Sequence, residues 1–197
     1  MSIPQKANLV WSLVWSSNVH NVLADRLSRW RKAFDTQDWM FDREEFNVLH
    51  NEFKFEVDVC ASPDGNNAQL PIFWSEVDSC LLQCWRGRRV YCNPPFNQIY
   101  PILQHFLSEW NADPEHTGGT FVLPAWTAHR FWQLEKHFEQ VRKYKTGSRI
   151  FTSPDWGAVN RGQVSSKRFD RGRTRWPVVV WHKGPLRSSA VLEGENV

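Results

Sequence analysis

Arg89-Val90-Tyr91-Cys92-Asn93-Pro94-Pro95-Phe96 reads as a short buried strand brought to a stop. Its first half is apolar and β-prone, and the two prolines end it because each fixes φ and lacks an N–H. Pro94 also restricts Asn93 to extended geometry, so that its carboxamide oxygen and a nearby main-chain carbonyl point the same way as paired acceptors. Such a pair suits the two hydrogens of an exocyclic amino group on a nucleobase. Phe96 adds a flat apolar face on which a base pulled from its stack would rest. A proline turn closing a core strand is the plainer reading of the same four residues.

Beyond Phe96, Ile99, Ile102, Leu103, Phe106, Leu107 and Trp110 mark an amphipathic helix, with Pro101 tolerated in its first turn. Upstream, Phe46, Leu49 and Phe53 have helical spacing, Phe55-Glu56-Val57-Asp58-Val59 is a strand, and Ser62-Pro63-Asp64-Gly65-Asn66-Asn67 is rich in turn residues. Downstream, Thr120-Phe121-Val122-Leu123 is a buried strand, and Phe131, Leu134, Phe138 and Val141 read as a helix face. Ser148 to Thr152 and Val178 to Trp181 are further strands. This alternation predicts an α/β fold, a mostly parallel sheet with helices on both faces, which binds ligands at the carboxyl ends of its strands. Asn93 and Asp58 are both expected at such ends.

At 197 residues the chain suits one domain with a sizeable core and a short appendage. The net charge of +3 is unevenly spread. Between Arg142 and Arg175 ten basic residues face only Asp155 and Asp170, and a polyanion would be felt most strongly there. Four cysteines without a signal peptide point to free thiols in a reducing, intracellular compartment. Cys80 and Cys84 are spaced to share a helix face, but no second pair completes a zinc site, so no metal is expected. No apolar run has the length of a membrane span. Of the twelve tryptophans, most are expected in the core or on helix faces and some beside a nucleic-acid groove.

The segments from about Trp39 to His182 resemble the phage-type DNA N6-adenine methyltransferase (Dam) family, especially its relatives that follow RNase H in DIRS-like retroelement polyproteins. The matching pieces run in the family's order: Trp39 to Phe55, Asp58-Val59-Cys60-Ala61 with Asn67-Ala68, Trp85-Arg86-Gly87 before Asn93-Pro94-Pro95-Phe96, Val122-Leu123-Pro124-Ala125, and Trp176-Pro177-Val178-Val179-Val180. Asn21 to Arg29 resembles the closing N-x-x-A-D-x-L-S-R of RNase H, with Asp25 in the position of its last metal-binding carboxylate. The other carboxylates of that fold are missing, so no nuclease activity is expected. The resemblance divides the chain into an RNase H remnant over residues 1–34, a methyltransferase domain over 35–184 and a flexible tail over 185–197.

The resemblance implies a Rossmann-like fold and methyl transfer from S-adenosylmethionine to the N6 amine of adenine in DNA. It implies a catalytic set of Asn93, Pro94, Pro95 and Phe96. From the residues themselves, Asp58, Cys60 and Asn67 are candidate cofactor contacts, with Asp58 capping the turn that follows its strand and Asn67 serving as a turn residue as the alternatives. The density of basic charge makes Lys167, Arg168, Arg171 and Arg173 candidate DNA contacts. The resemblance also implies nuclear residence if the source is a eukaryotic mobile element. The chain departs from methyltransferases at large in lacking a glycine-rich F-x-G-x-G loop, since Gly118-Gly119 precedes the wrong strand, and it has no separate target-recognition domain. Two alternatives remain open at this point: a nucleic-acid-binding module without catalysis, and transfer to the N4 amine of cytosine.

Overall fold

The computed structural model describes residues 39–152 and 173–185. The strand and helix expected in residues 1–34, Asp25 among them, lie outside these, as does the chain beyond Pro185. Met40–Phe41 forms β1. Asp42 then caps helix α1, Arg43–Phe53, its carboxylate accepting from the N–H groups of Glu44 and Glu45. The helix stops at Lys54, which turns the chain in the left-handed conformation at φ 54°. The strands that follow are β2 Val57–Ala61, β3 Phe73–Ser75 and β4 Arg89–Cys92. Helix α2 spans Ile99–Ala112 and leads to β5, Gly118–Pro124. A 3-10 helix over Arg130–His137 precedes β6 Glu139–Tyr144, and β7 Phe151–Thr152 and β8 Val178–Lys183 complete the set.

Six strands form one sheet in the order β3-β2-β4-β5-β8-β6, while β1 and β7 pair separately and antiparallel. The pairings from β3 through β5 are parallel, and β8 runs against both β5 and β6. The sheet is therefore mixed α/β and mostly parallel. Side chains of β4 alternate between its faces, as a pleated strand requires. Val90 and Cys92 join Phe121, Leu123, Val179 and Trp181 under the buried face of α2, made by Ile99, Ile102, Leu103 and Phe106. Tyr91 turns the other way and joins Val122, Val178 and Val180 under Phe46 and Leu49 of α1. Helices thus cover both faces, and each fully buried aliphatic or aromatic side chain contributes about 1.5–3 kcal/mol.

Two segments differ from their expected helical form. Phe131, Leu134, Phe138 and Val141 do not share one helix: the first two lie in the 3-10 helix, Phe138 ends it, and Val141 belongs to β6. Phe131 and Phe138 still reach the α2 side of the core, so the apolar spacing was satisfied by a shorter helix followed by a strand. Cys80 and Cys84 do not share a helix face either, because Cys80 opens a three-residue 3-10 turn and Cys84 lies beyond it. Among the described residues no helix is long and apolar enough to cross a membrane.

Gly118 and Gly119 open β5 at its amino end. A Cβ on Gly119 would meet the Phe106 ring at 2.6 Å and the Phe121 ring at 2.9 Å, so glycine lets α2 lie close on the sheet. Gly119→Ala is expected to destabilise the fold by about 1–3 kcal/mol through overpacking. Urea unfolding measures this, and an unchanged midpoint would show that α2 is not held against that glycine.

Candidate active site

The parallel strands β2, β3, β4 and β5 end on one edge of the sheet, and that edge collects the polar and aromatic groups the sequence singled out. At its middle, β4 stops at Cys92 and the chain turns through Asn93 to Phe96. The Pro95 carbonyl accepts from Gln98 N at 2.8 Å and steers the chain into α2. Asn93 Nδ2 donates to the Trp39 carbonyl oxygen at 2.8 Å. This bond spends the donor end of the carboxamide and orients Oδ1 as its remaining acceptor. Among the described residues neither Asn93 Oδ1 nor the Pro94 carbonyl accepts a hydrogen bond.

Phe96 is 53% exposed, unusual for so apolar a side chain in this chain. It is not alone: its ring lies 5.0 Å from Trp126 and 5.2 Å from Trp176, and those two tryptophans are 5.4 Å apart. Trp126 follows β5 and Trp176 precedes β8, so three connections converge on one aromatic platform. His129 is exposed and extended, and its ring lies 4.8 Å from Trp126. Arg130 stacks its guanidinium over Tyr100 at 4.1 Å. Sequence reading missed the platform because Phe96, Trp126 and Trp176 are far apart along the chain; the only signal was the abundance of tryptophan.

Asp58 is not at a strand end. It is the second residue of β2, only 2% exposed, and its oxygens accept from Cys60 N at 3.2 Å and Gln69 N at 3.0 Å. The strand runs on to Ala61 because Val59 and Ala61 are also buried. Burial pushes the Asp58 carboxyl up to about 6, against the pull of the two N–H groups and the charge of Arg43. Asn67 Oδ1 accepts from Ser62 N at 2.6 Å and closes the turn that follows β2. Cys60 lies between them, its sulfur 3.4 Å from that of Cys92. Burial raises the Cys92 thiol, and the bond to Cys60 followed by burial raises Cys80, so these groups stay protonated. Among the described residues no group of side chains is arranged to hold a metal ion.

Charge divides along this edge. Asp64 follows β2, and Glu76 and Asp78 follow β3, which makes that end acidic. The Asp64 carboxyl is held below its usual range by hydrogen bonds from Ser62 and Asn66, which outweigh its desolvation. Glu76, at the carboxyl end of β3, was not singled out from the sequence; only the strand assignment reveals that position. At the other end, Lys143, Lys145, Arg149, Arg173 and Arg175 are exposed on the segments around β6 and β8. Of the predicted DNA contacts only Arg173 falls here, while Lys167, Arg168 and Arg171 lie outside the described residues. Arg86, Arg88 and Arg89 precede or open β4 and therefore sit at the opposite edge.

A mixed α/β sheet of this kind, with an Asn-Pro-Pro-Phe turn at the carboxyl edge, is compatible with the methyltransferase class. The sequence model of DNA N-6-adenine-methyltransferase (Dam) matches residues 30–166, well over half the chain, and the protein belongs to that family, one of DNA methyltransferases by its description. No curated protein matches the chain.

The buried Asp58 and the part-buried His182 give the fold opposite responses to pH. Asp58 has a folded value above its ordinary 3.8, so its contribution to stability is complete at low pH and is lost as pH rises through about 6. His182, bonded to Thr120 at 2.8 Å and stacked 3.8 Å from Phe53, is pushed by burial from 6.5 down to about 4, so stability grows as pH rises through that interval. Each response is worth about 3 kcal/mol and the two largely offset. Stability of Asp58→Asn should therefore rise between pH values of about 4 and 7, and that of His182→Gln should fall. Chemical denaturation across that range checks this, and parallel profiles for both variants would contradict it.

Proposed function

We propose that the protein methylates the N6 amine of adenine in DNA, with S-adenosylmethionine as methyl donor, on a Rossmann-like methyltransferase fold. The observation that carries the reading is the Asn93 carboxamide, turned by the Trp39 carbonyl so that Oδ1 faces away as an acceptor beside the exposed Phe96 ring. Adenine N6 is a poor nucleophile because its lone pair is delocalised into the ring. Asn93 Oδ1 and the Pro94 carbonyl accept its two hydrogens and draw that pair out of conjugation. Asn93 is neutral and is no strong base. None is required, since the amine reacts while neutral and loses its proton afterwards. Pro95 holds the turn, and Phe96 stacks the base, backed by Trp126 and Trp176.

The donor set at the β2 and β3 end fits the proposed cofactor. S-adenosylmethionine would supply a methyl group on a positively charged sulfonium, and the carboxylates of Asp64, Glu76 and Asp78 suit a cation there. Glu76 has the strand-end position from which a carboxylate accepts from sugar hydroxyls. Cys60 lines the end of β2, while Asp58 and Asn67 act on the cofactor side through the turn they hold in shape. Lys167, Arg168, Arg171 and Arg173 are assigned to DNA phosphates on the strength of their charge. The Asn21 to Arg29 signature supports reading the chain as part of a retroelement polyprotein.

Incubation with DNA and isotopically labelled S-adenosylmethionine, followed by digestion to nucleosides, tests the reading. N6-methyladenine is expected; label in N4-methylcytosine would reassign the base, and no label at all would leave a binding module. Asn93→Ala should lower the rate about 10²- to 10³-fold by removing one preorganised acceptor. Its melting temperature should change little, since a single part-buried hydrogen bond is worth about 1 kcal/mol. A variant that kept most of the wild-type rate would remove Asn93 from the chemistry.

A further inference from the structure

Two cavities lie at opposite edges of the sheet. One, of about 150 Å³, is lined by Arg89, Gly118 and His182 at the amino edge, far from the Asn93 turn. The other, of about 550 Å³, is lined by Lys143, Tyr144, Lys145, Thr146 and Pro177 at the carboxyl edge. Its volume lies within the range of ligand-sized pockets. We propose that this second groove holds the phosphodiester backbone of DNA beside the base that stacks on Phe96. The proposal rests on the reading of that platform as a seat for a base drawn out of the duplex.

Connectivity ties the groove to the platform. Pro177 follows Trp176 in the chain, and its carbonyl accepts from Ala125 N at 2.8 Å, next to Trp126. The groove wall at Pro177 therefore adjoins Trp176 in the chain and is hydrogen-bonded to the residue before Trp126. A base on the platform remains joined to its own sugar and phosphates, which must leave along a neighbouring surface. Towards β2 and β3 that surface carries Asp64, Glu76 and Asp78 and repels phosphate. Towards β6 it is cationic.

Lys143 lies in β6 and Lys145 just past its end, and both line the groove. Both are exposed, and neither makes an ion pair among the described residues. Tyr144 between them donates to Glu45 Oε2 at 2.6 Å, which anchors the strand end. Thr174 Oγ1 donates to the Lys145 carbonyl at 3.4 Å, Thr174 N to Ser148 O at 3.0 Å, and Gly147 N to Thr174 O at 2.8 Å. These bonds bring Arg173 and Arg175 alongside Lys145 and Arg149. The charge is thus fixed in position by main-chain bonding and adjoins the groove.

The experiment measures DNA affinity against salt by fluorescence anisotropy of a labelled duplex, with no methyl donor present. For every phosphate that is no longer neutralised, the slope of log affinity against log salt should become shallower by about 0.9. Lys143→Ala with Lys145→Ala should therefore flatten it by about two units, and Lys143→Arg with Lys145→Arg should restore it. Arg86→Ala with Arg88→Ala, at the amino edge, should leave the slope as in wild type. An unchanged slope in the lysine double variant, or an equal flattening in the amino-edge variant, would overturn the proposal. A wild-type protein that binds with the expected slope but transfers no methyl group would sink the catalytic reading and leave the groove standing. Methylation with a slope indifferent to Lys143 and Lys145 would sink the groove alone.

Discussion

β4 ends where Pro94 and Pro95 offer no N–H to a sheet ladder, and the carboxyl edge takes its arrangement from that stop. A strand that continued would have paired further with β2 and β5. The stop instead releases Asn93 to bond the Trp39 carbonyl, and the Pro95 carbonyl receives Gln98 N to start α2. Phe96 is left between these two anchored points with its ring exposed. One constraint on the backbone thereby sets both an acceptor and a stacking face, without a charged residue in either role.

The neighbours of this turn divide the edge by charge. Carboxylates follow β2 and β3, and cationic side chains surround the ends of β6 and β8. A cationic methyl donor and a polyanionic substrate would need opposite surroundings, and the sheet order β3-β2-β4-β5-β8-β6 separates the two on either side of the Asn93 turn. The antiparallel β8 matters to this division. Because it runs against β5, its first residues rather than its last lie at the carboxyl edge, and they bring Trp176 to Phe96.

Much of the fold was legible from residue patterns. The spacing of Ile99, Ile102, Leu103 and Phe106 has one reading, and β5 and β8 are continuous apolar runs buried on both faces. The stretch after Phe131 was not legible, since its apolar spacing suits a full helix as well as a 3-10 turn followed by an edge strand. Asp58 misled for a related reason. A carboxylate in a strand pattern reads as the strand's end, and only the N–H groups of Cys60 and Gln69 make it tolerable inside. For the site, the Asn93 to Phe96 turn was visible as a local motif, whereas the Trp126 and Trp176 walls depend on contacts between distant segments.

In the proposed function, everything turns on what Asn93 and Phe96 do to a single base. The most direct measurement is a crystal structure of the protein with a short duplex and a non-reactive analogue of S-adenosylmethionine. An adenine is expected out of the helix, its ring on Phe96 and its N6 within hydrogen-bond reach, about 3 Å, of Asn93 Oδ1. A complex in which the bases stay stacked, or in which N6 is held by other groups while Asn93 bonds only Trp39, would contradict that role.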